Sequence, residues 1–351
     1  MCMKQLRLFI VGFGVVGQGL AELLERKRDL LQQQFAMQVK LVGVANARHG
    51  FIYREEGLDI ARLLELAAKN QSLADYPDVA HQPQALSGLR AFGKAGDVLA
   101  EATATNLRDA EPGMSHIRTA LTQGMHVITA NKGPVALAAK ELLTLARHHH
   151  VQLRMEATVM AGTPVISTVH EGLAGARVRS MRGILNGTTN YILSAMASGR
   201  DYASVLAEAQ AQGYAEADPT ADVEGYDAVA KTLILAAVAF GHALKPDQVI
   251  RQGITTVTKE QVQQAMHEGK RIKLIASLHA VANFGEAPLE ARVEPVALPL
   301  TDPLARVDGV MNAITFQTDT LSEVTVIGPG AGRIQTGQGL LSDLIAVAKT
   351  L

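Results

Sequence analysis

Leu6 to Val11 is a short apolar run that stops at Gly12. Such a run predicts a buried parallel strand. Val16, Leu20, Leu23 and Leu24 then recur at helical spacing over 15–31, which predicts a helix. Val39 to Ala45 is a second strand-like run, and 58–69 carries a helical pattern. Asp97 to Ala102 predicts another strand, Pro112-Gly113 opens a helix to about Gln123, His126 to Ala130 predicts a strand, and 134–147 a helix. Strands alternating with helices at this interval predict a parallel, doubly wound sheet.

Around residue 151 the order changes. A strand at 151–155, a helix near 164–172 and a strand at 176–184 lead to Gly187, and helices fit 189–198, 201–212 and 226–240. From about 270 the segments 270–282, 289–297, 313–318 and 323–327 read as antiparallel strands. The turn Gly328-Pro329-Gly330-Ala331-Gly332 precedes a last helix at 338–350. The pattern is α/β: a Rossmann-type doubly wound domain plus an α+β domain. A chain of 351 residues exceeds the size at which single cores usually divide.

Composition narrows the function classes. With 48% hydrophobic and 19% charged residues the chain is not disordered. A net charge of −1, 4% aromatics and no Trp leave neither a basic face nor stacking rings for nucleic acid. The longest apolar stretch, about 228–240, is too short for a bilayer span and carries a lysine. The one cysteine, Cys2, precludes an internal disulfide and fits a reducing compartment. With no leader pattern before the first strand, the expected location is cytoplasmic. His148-His149-His150 reads as a solvated helix end rather than a metal site, because adjacent helical residues face different ways.

Gly12-Phe13-Gly14-Val15-Val16-Gly17 lies between the first strand and the first helix. The three glycines suit a tight turn, close approach of a pyrophosphate, and close helix–strand packing. The helix N-terminus offers N–H groups and a positive dipole end to phosphate. The second strand ends in Ala45-Asn46-Ala47-Arg48, without the acid that holds the ribose hydroxyl of NAD. Arg48 suits the additional phosphate of NADP, or is a surface charge. Glu101 to Asn106 and Thr129-Ala130-Asn131-Lys132 end further strands on the same crevice. Lys132 there either polarises a carbonyl, binds a carboxylate, or is solvated.

Between Ala228 and Phe240 only Lys231 and Thr232 are polar. A helix apolar all round is buried, and a buried lysine needs a partner. Asp227 stands one turn before Lys231, in the favourable order. The pair either orients the helix or supplies an ammonium that stabilises and protonates a developing alkoxide. The acidic loop Gly213-Tyr214-Ala215-Glu216-Ala217-Asp218-Pro219, with Asp222 and Glu224 beyond it, lacks calcium-loop spacing. It binds a substrate ammonium, binds a metal, or is solvated.

Together these segments resemble the homoserine dehydrogenase family. The matching motifs are Val11 to Gly17, Ala130-Asn131-Lys132, Glu156-Ala157-Thr158-Val159, Ile184-Leu185-Asn186-Gly187-Thr188-Thr189-Asn190-Tyr191, and Gly213 to Pro219 running into Asp222, Asp227 and Lys231. The resemblance implies NADP(H)-dependent interconversion of aspartate semialdehyde and homoserine, with NAD as an alternative cofactor. It implies a cofactor domain of 1–134 plus about 333–351, and a substrate and dimerisation domain of 135–332. Lys231 and Lys132 correspond to the catalytic lysines, and Asp227 to the acid that positions Lys231. Glu216 would receive the substrate ammonium, with Gly187, Thr188, Tyr214 and Asp222 beside it, and Thr103 would touch the cofactor. A monovalent cation such as Na⁺ would be held at Glu156, Val159, Ala161 and Thr163. Met160 and Ala161 stand where the family often has glycine. A homodimer or dimer of dimers follows from the same resemblance, and no added threonine-sensing module is expected. The competing readings are a related dehydrogenase for another small aldehyde and a nucleotide-sensing subunit without chemistry. A phosphorylating aldehyde dehydrogenase would need an interior cysteine nucleophile.

Overall fold

The computed structural model describes residues 3–280 and 289–351; Cys2 and the end of the strand expected at 270–282 lie outside them. The chain forms two compact units, 1–162 with 332–351, and 163–331.

The first unit is built on a seven-stranded sheet. Its strands are β1 (Lys4–Val11), β2 (Met37–Asn46), β3 (Gly50–Tyr53), β4 (Ala80–Gln82), β5 (Val98–Glu101), β6 (His126–Thr129) and β7 (Leu153–Arg154). The order is β4-β3-β2-β1-β5-β6-β7. β2, β1, β5, β6 and β7 are parallel, so their carboxyl ends share one edge. β3 turns back antiparallel on β2, and β4 is antiparallel to β3. That edge hairpin stands outside the expected parallel sheet. The helices are α1 (Val15–Arg26), α2 (Arg28–Phe35), α3 (Ile60–Ala68), α4 (Ala85–Phe92), α5 (Gly113–Thr122) and α6 (Lys132–His148). The boundary expected near 134 cuts through this unit. α6 packs on α5, and β7 pairs with β6, so both belong to the sheet and the unit continues to Gly162.

His126 on β6 is buried, and its Nδ1 accepts the Gln152 backbone N–H at 3.0 Å. Burial lowers its pKa below the ordinary value of 6.5. In the window below 6.5 the unfolded chain therefore binds the proton first, and stability falls as pH falls. Denaturant unfolding at pH 7 and pH 5 should show this loss. His126→Gln keeps an acceptor without titrating and should show less of it; an equal loss in both proteins would remove His126 as its source.

The second unit carries a six-stranded sheet of β8 (Val178–Ile184), β9 (Val249–Arg251), β10 (Lys270–Ala280), β11 (Leu289–Pro299), β12 (Met311–Thr318) and β13 (Glu323–Pro329). The order is β13-β12-β8-β10-β11-β9. All pairs are antiparallel except β9 with β11. Its helices are α7 (Gly187–Ala197), α8 (Tyr202–Ala211), α9 (Thr220–Val223), α10 (Tyr226–Phe240) and α11 (Lys259–His267). α10 starts after Gly225 and stops before Gly241, both left-handed, and Ala228 to Ala236 are all buried. Among the described residues no helix is long and apolar enough to cross a membrane.

The chain then returns to the first unit as α12 (Arg333–Thr350). Leu340, Leu341, Leu344 and Val347 join Leu20, Leu23 and Leu24 of α1 in one core with the sheet. Glycines at the crossing let the two backbones touch. A side chain at Gly19 would lie 2.2 Å from the Arg333 carbonyl oxygen, and one at Gly337 would lie 2.7 Å from Gly19.

Candidate functional site

In the first unit the candidate residues line the shared carboxyl edge of the parallel strands. Gly12 has φ +99°, and a Cβ there would lie 2.3 Å from the Ala102 carbonyl carbon. A Cβ at Gly17 would lie 2.4 Å from the Gly12 oxygen, so α1 starts hard against the turn. A Cβ at Gly14, by contrast, would meet nothing within 4 Å. Gly14 caps α1 without a side-chain hydrogen bond. The tight turn, the open approach and the helix amides therefore fit a dinucleotide pyrophosphate. Phe13 is buried, so only its backbone is available to a ligand, while Val15 is exposed and Val16 half-buried.

Asn46 ends β2, and its Oδ1 accepts the backbone N–H groups of Arg48 and His49 at 3.1 and 2.7 Å. This turns the chain into β3 and leaves Arg48 exposed at the tip. Thr103 follows β5. Its hydroxyl donates to buried Glu101, and Asn131 Nδ2 donates to the same hydroxyl at 3.1 Å. Glu101 also lies 3.4 Å from His116 Nδ1. Asn131 caps α6 by accepting the Gly133 N–H at 3.0 Å, which places Lys132 as the first helical residue, half-buried. His116 was not among the residues expected at the site, and Glu101 and Asn131 were expected there only as parts of strand-end segments, with no role assigned.

In the second unit Lys231 is 6% exposed. Its ammonium lies 2.8 Å from Asp227 Oδ2 and donates to the Leu185 carbonyl. Its third N–H has no protein acceptor among the described residues. Asn186 is the link that the sequence did not single out. Its Nδ2 donates to Asp222 at 2.7 Å and to Asp227 at 3.1 Å, while its Oδ1 caps α7. Thr188 Oγ1 lies 2.8 Å from both Asp222 Oδ2 and the Tyr214 carbonyl. Lys231, Asp227, Asn186, Asp222, Thr188 and the Tyr214 backbone thus form one bonded chain, with Gly187 at its centre. This chain of bonds holds two carboxylates and one ammonium, which leaves a net negative cluster suited to a cationic group. Glu216 stands exposed on the preceding loop, whose backbone Gln210 anchors at 3.1 Å.

Glu156, Val159 and Ala161 belong to the first unit and Thr163 to the second. Glu156 is buried and its N–H donates to Asp343 at 2.8 Å. Thr163 Oγ1 donates to the Pro329 carbonyl at 2.9 Å. Among the described residues no group of three or more His, Cys, Asp and Glu could hold a metal ion.

Residues 12–156 match the family described as homoserine dehydrogenase, NAD binding domain, and residues 164–345 match that described as homoserine dehydrogenase. An NAD(+)-dependent homoserine dehydrogenase from Pseudomonas canavaninivorans is 40% identical over 98% of this chain and 97% of its own. A homoserine dehydrogenase from Methanocaldococcus jannaschii is 38% identical over 97% and 98%. The structure of a hyperthermophilic archaeal homoserine dehydrogenase in complex with NADPH superposes with a TM-score of 0.83 at 28% identity, covering 99% of each chain.

Proposed function

The chain belongs to the homoserine dehydrogenase family, and from that premise we propose that it reduces L-aspartate 4-semialdehyde reversibly to L-homoserine with NADP(H). This would place it in the cytoplasm, in threonine, methionine and isoleucine biosynthesis, working as a homodimer or dimer of dimers.

NADPH supplies the hydride when bound. The chain's own residues do the rest. Gly12 to Gly17 and the first turn of α1 hold the pyrophosphate, Thr103 and Lys132 stand at neighbouring strand ends, and Arg48 offers a guanidinium to the 2′-phosphate. In the second unit the Asp222–Asn186–Asp227 cluster, with Glu216 and the backbone around Gly187 and Tyr214, receives the substrate ammonium. Negative charge grows on the aldehyde oxygen as its carbon is reduced. Lys231 stabilises that charge and delivers the proton, while Lys132 holds the substrate carboxylate or the carbonyl oxygen. The observation that carries this reading is the buried Lys231 ammonium, ion-paired with Asp227, which Asn186 links to Asp222.

As a further part of the proposal, Glu156, Val159, Ala161 and Thr163 correspond to the family's monovalent-cation residues, and backbone oxygens would suit a hard cation such as Na⁺.

Purified protein should reduce NADP⁺ when given L-homoserine, with no signal from L-serine or L-threonine at equal concentration. Absence of homoserine-dependent NADPH formation overturns the proposal. Cofactor choice is tested separately. NADP(H) should be preferred to NAD(H), and Arg48→Ala should weaken NADP⁺ binding by about tenfold, one lost phosphate contact being worth roughly 1–2 kcal/mol. A wild-type preference for NAD⁺, the cofactor named for the Pseudomonas relative, would remove Arg48 from this role.

A further inference from the structure

The second unit buries another lysine, which the chemistry above does not use. Lys273 on β10 is 1% exposed. Its ammonium lies 3.0 Å from Asn190 Oδ1, 3.1 Å from Ser194 Oγ, 2.7 Å from the Val307 carbonyl and 2.9 Å from Asp308 Oδ1. Asn190 and Ser194 stand one turn apart on α7, so they face the lysine together. Val307 and Asp308 lie in the loop before β12. Burial lowers the pKa of this amine, and Asp308 opposes that shift. The charges that bear on it are Asp308 and Arg271 of its own strand. α7 presents uncharged groups, and β11 sets Val296 opposite. Burying an ammonium is costly unless it is paired and hydrogen-bonded, and here four acceptors surround it.

The same loop backs the start of α7. Asn190 Nδ2 donates to the Val307 and Met311 carbonyls at 3.0 and 2.9 Å. A side chain at Gly187 would lie 2.7 Å from the Val310 oxygen. The lysine therefore joins three elements behind the helix turn from which Asn186 and Thr188 reach Asp222 and Asp227.

We infer that Lys273 is a positioning residue for substrate. It fixes α7 against the 307–311 loop and so sets the spacing of the carboxylate cluster that receives the amino acid. This rests on the substrate reading of that cluster. Lys273→Met should raise the homoserine KM about tenfold, with the NADP⁺ KM and kcat within about twofold of wild type, a split that marks lost substrate binding. Lys273→Arg should recover most of the loss. Asp308, 68% exposed in its side chain, is a milder handle because solvent screens it; Asp308→Asn should raise the homoserine KM about twofold.

A wild-type homoserine KM in Lys273→Met, whatever its melting temperature, overturns the inference. So does an equal rise in both KM values. Should Lys273→Met not fold, an unchanged homoserine KM in both Asp308→Asn and Ser194→Ala overturns it instead. If wild type does not oxidise homoserine, the substrate reading has failed. Hydrogen exchange then decides the positioning claim: the amides of residues 188–190 should lose protection in Asp308→Asn, and unchanged protection overturns it.

Discussion

Lys231→Ala is expected to lower homoserine turnover by about three orders of magnitude while NADP⁺ still binds. Removing one preorganised donor from a developing oxyanion costs about 10²–10³ in rate, and the proton delivered by a general acid contributes comparably. The variant also leaves Asp227, which Asn186 links to Asp222, without its cation partner. Lys231→Met, which keeps most of the side-chain volume, separates lost chemistry from lost packing. Steady-state rates and a direct NADP⁺ titration check the prediction. Turnover near wild type would reduce Lys231 to an ion pair that orients α10.

Gly12→Val should abolish measurable cofactor binding and destabilise the first unit by several kcal/mol, since a bulky residue is forced into a left-handed conformation and into its neighbours. The φ of +99° is one reason. The other is that the new Cβ would lie 2.4 Å from the Ala102 oxygen and 2.5 Å from the Thr103 nitrogen, atoms that cannot swing aside as a side-chain tip can. Displacing Thr103 disturbs its bonds to Glu101 and Asn131 as well. Gly14→Ala is the informative contrast. Its Cβ meets no protein atom within 4 Å, so the fold should stand, and any loss of affinity reports contact with the ligand. Denaturant unfolding and cofactor titration read both variants. Wild-type affinity in Gly12→Val would detach the glycine turn from nucleotide binding.

The parallel core of the first unit was legible because strands covered on both faces are continuously apolar. β3 and β4 were not: Gly50–Tyr53 and Ala80–Gln82 are too short to show a period, and their pairing is settled by an edge that only the folded sheet provides. The strand expected at 151–155 is present as β7, but nothing local shows that it pairs with β6 and so belongs to the first sheet. At the site, Lys231 and Asp227 stood out because a charge inside an apolar helix is conspicuous. Asn186 lay inside a quoted motif, yet its bridge between Asp222 and Asp227 joins residues 36 and 41 positions apart, which no local pattern encodes. His116 beside Glu101 and the ammonium of Lys273 were hidden likewise, because each is defined by partners brought from other elements.

The glycine-lined crossing of α12 on α1 also has a temporal side. During synthesis, residues 163–331 are made as an uninterrupted segment, every strand of their sheet ahead of 333–350. The nucleotide unit, though started first, must keep the apolar face of Leu20, Leu23 and Leu24 uncovered through that whole interval. Order of birth and order of completion are therefore reversed: the inserted unit can mature early, and the unit that encloses it closes last.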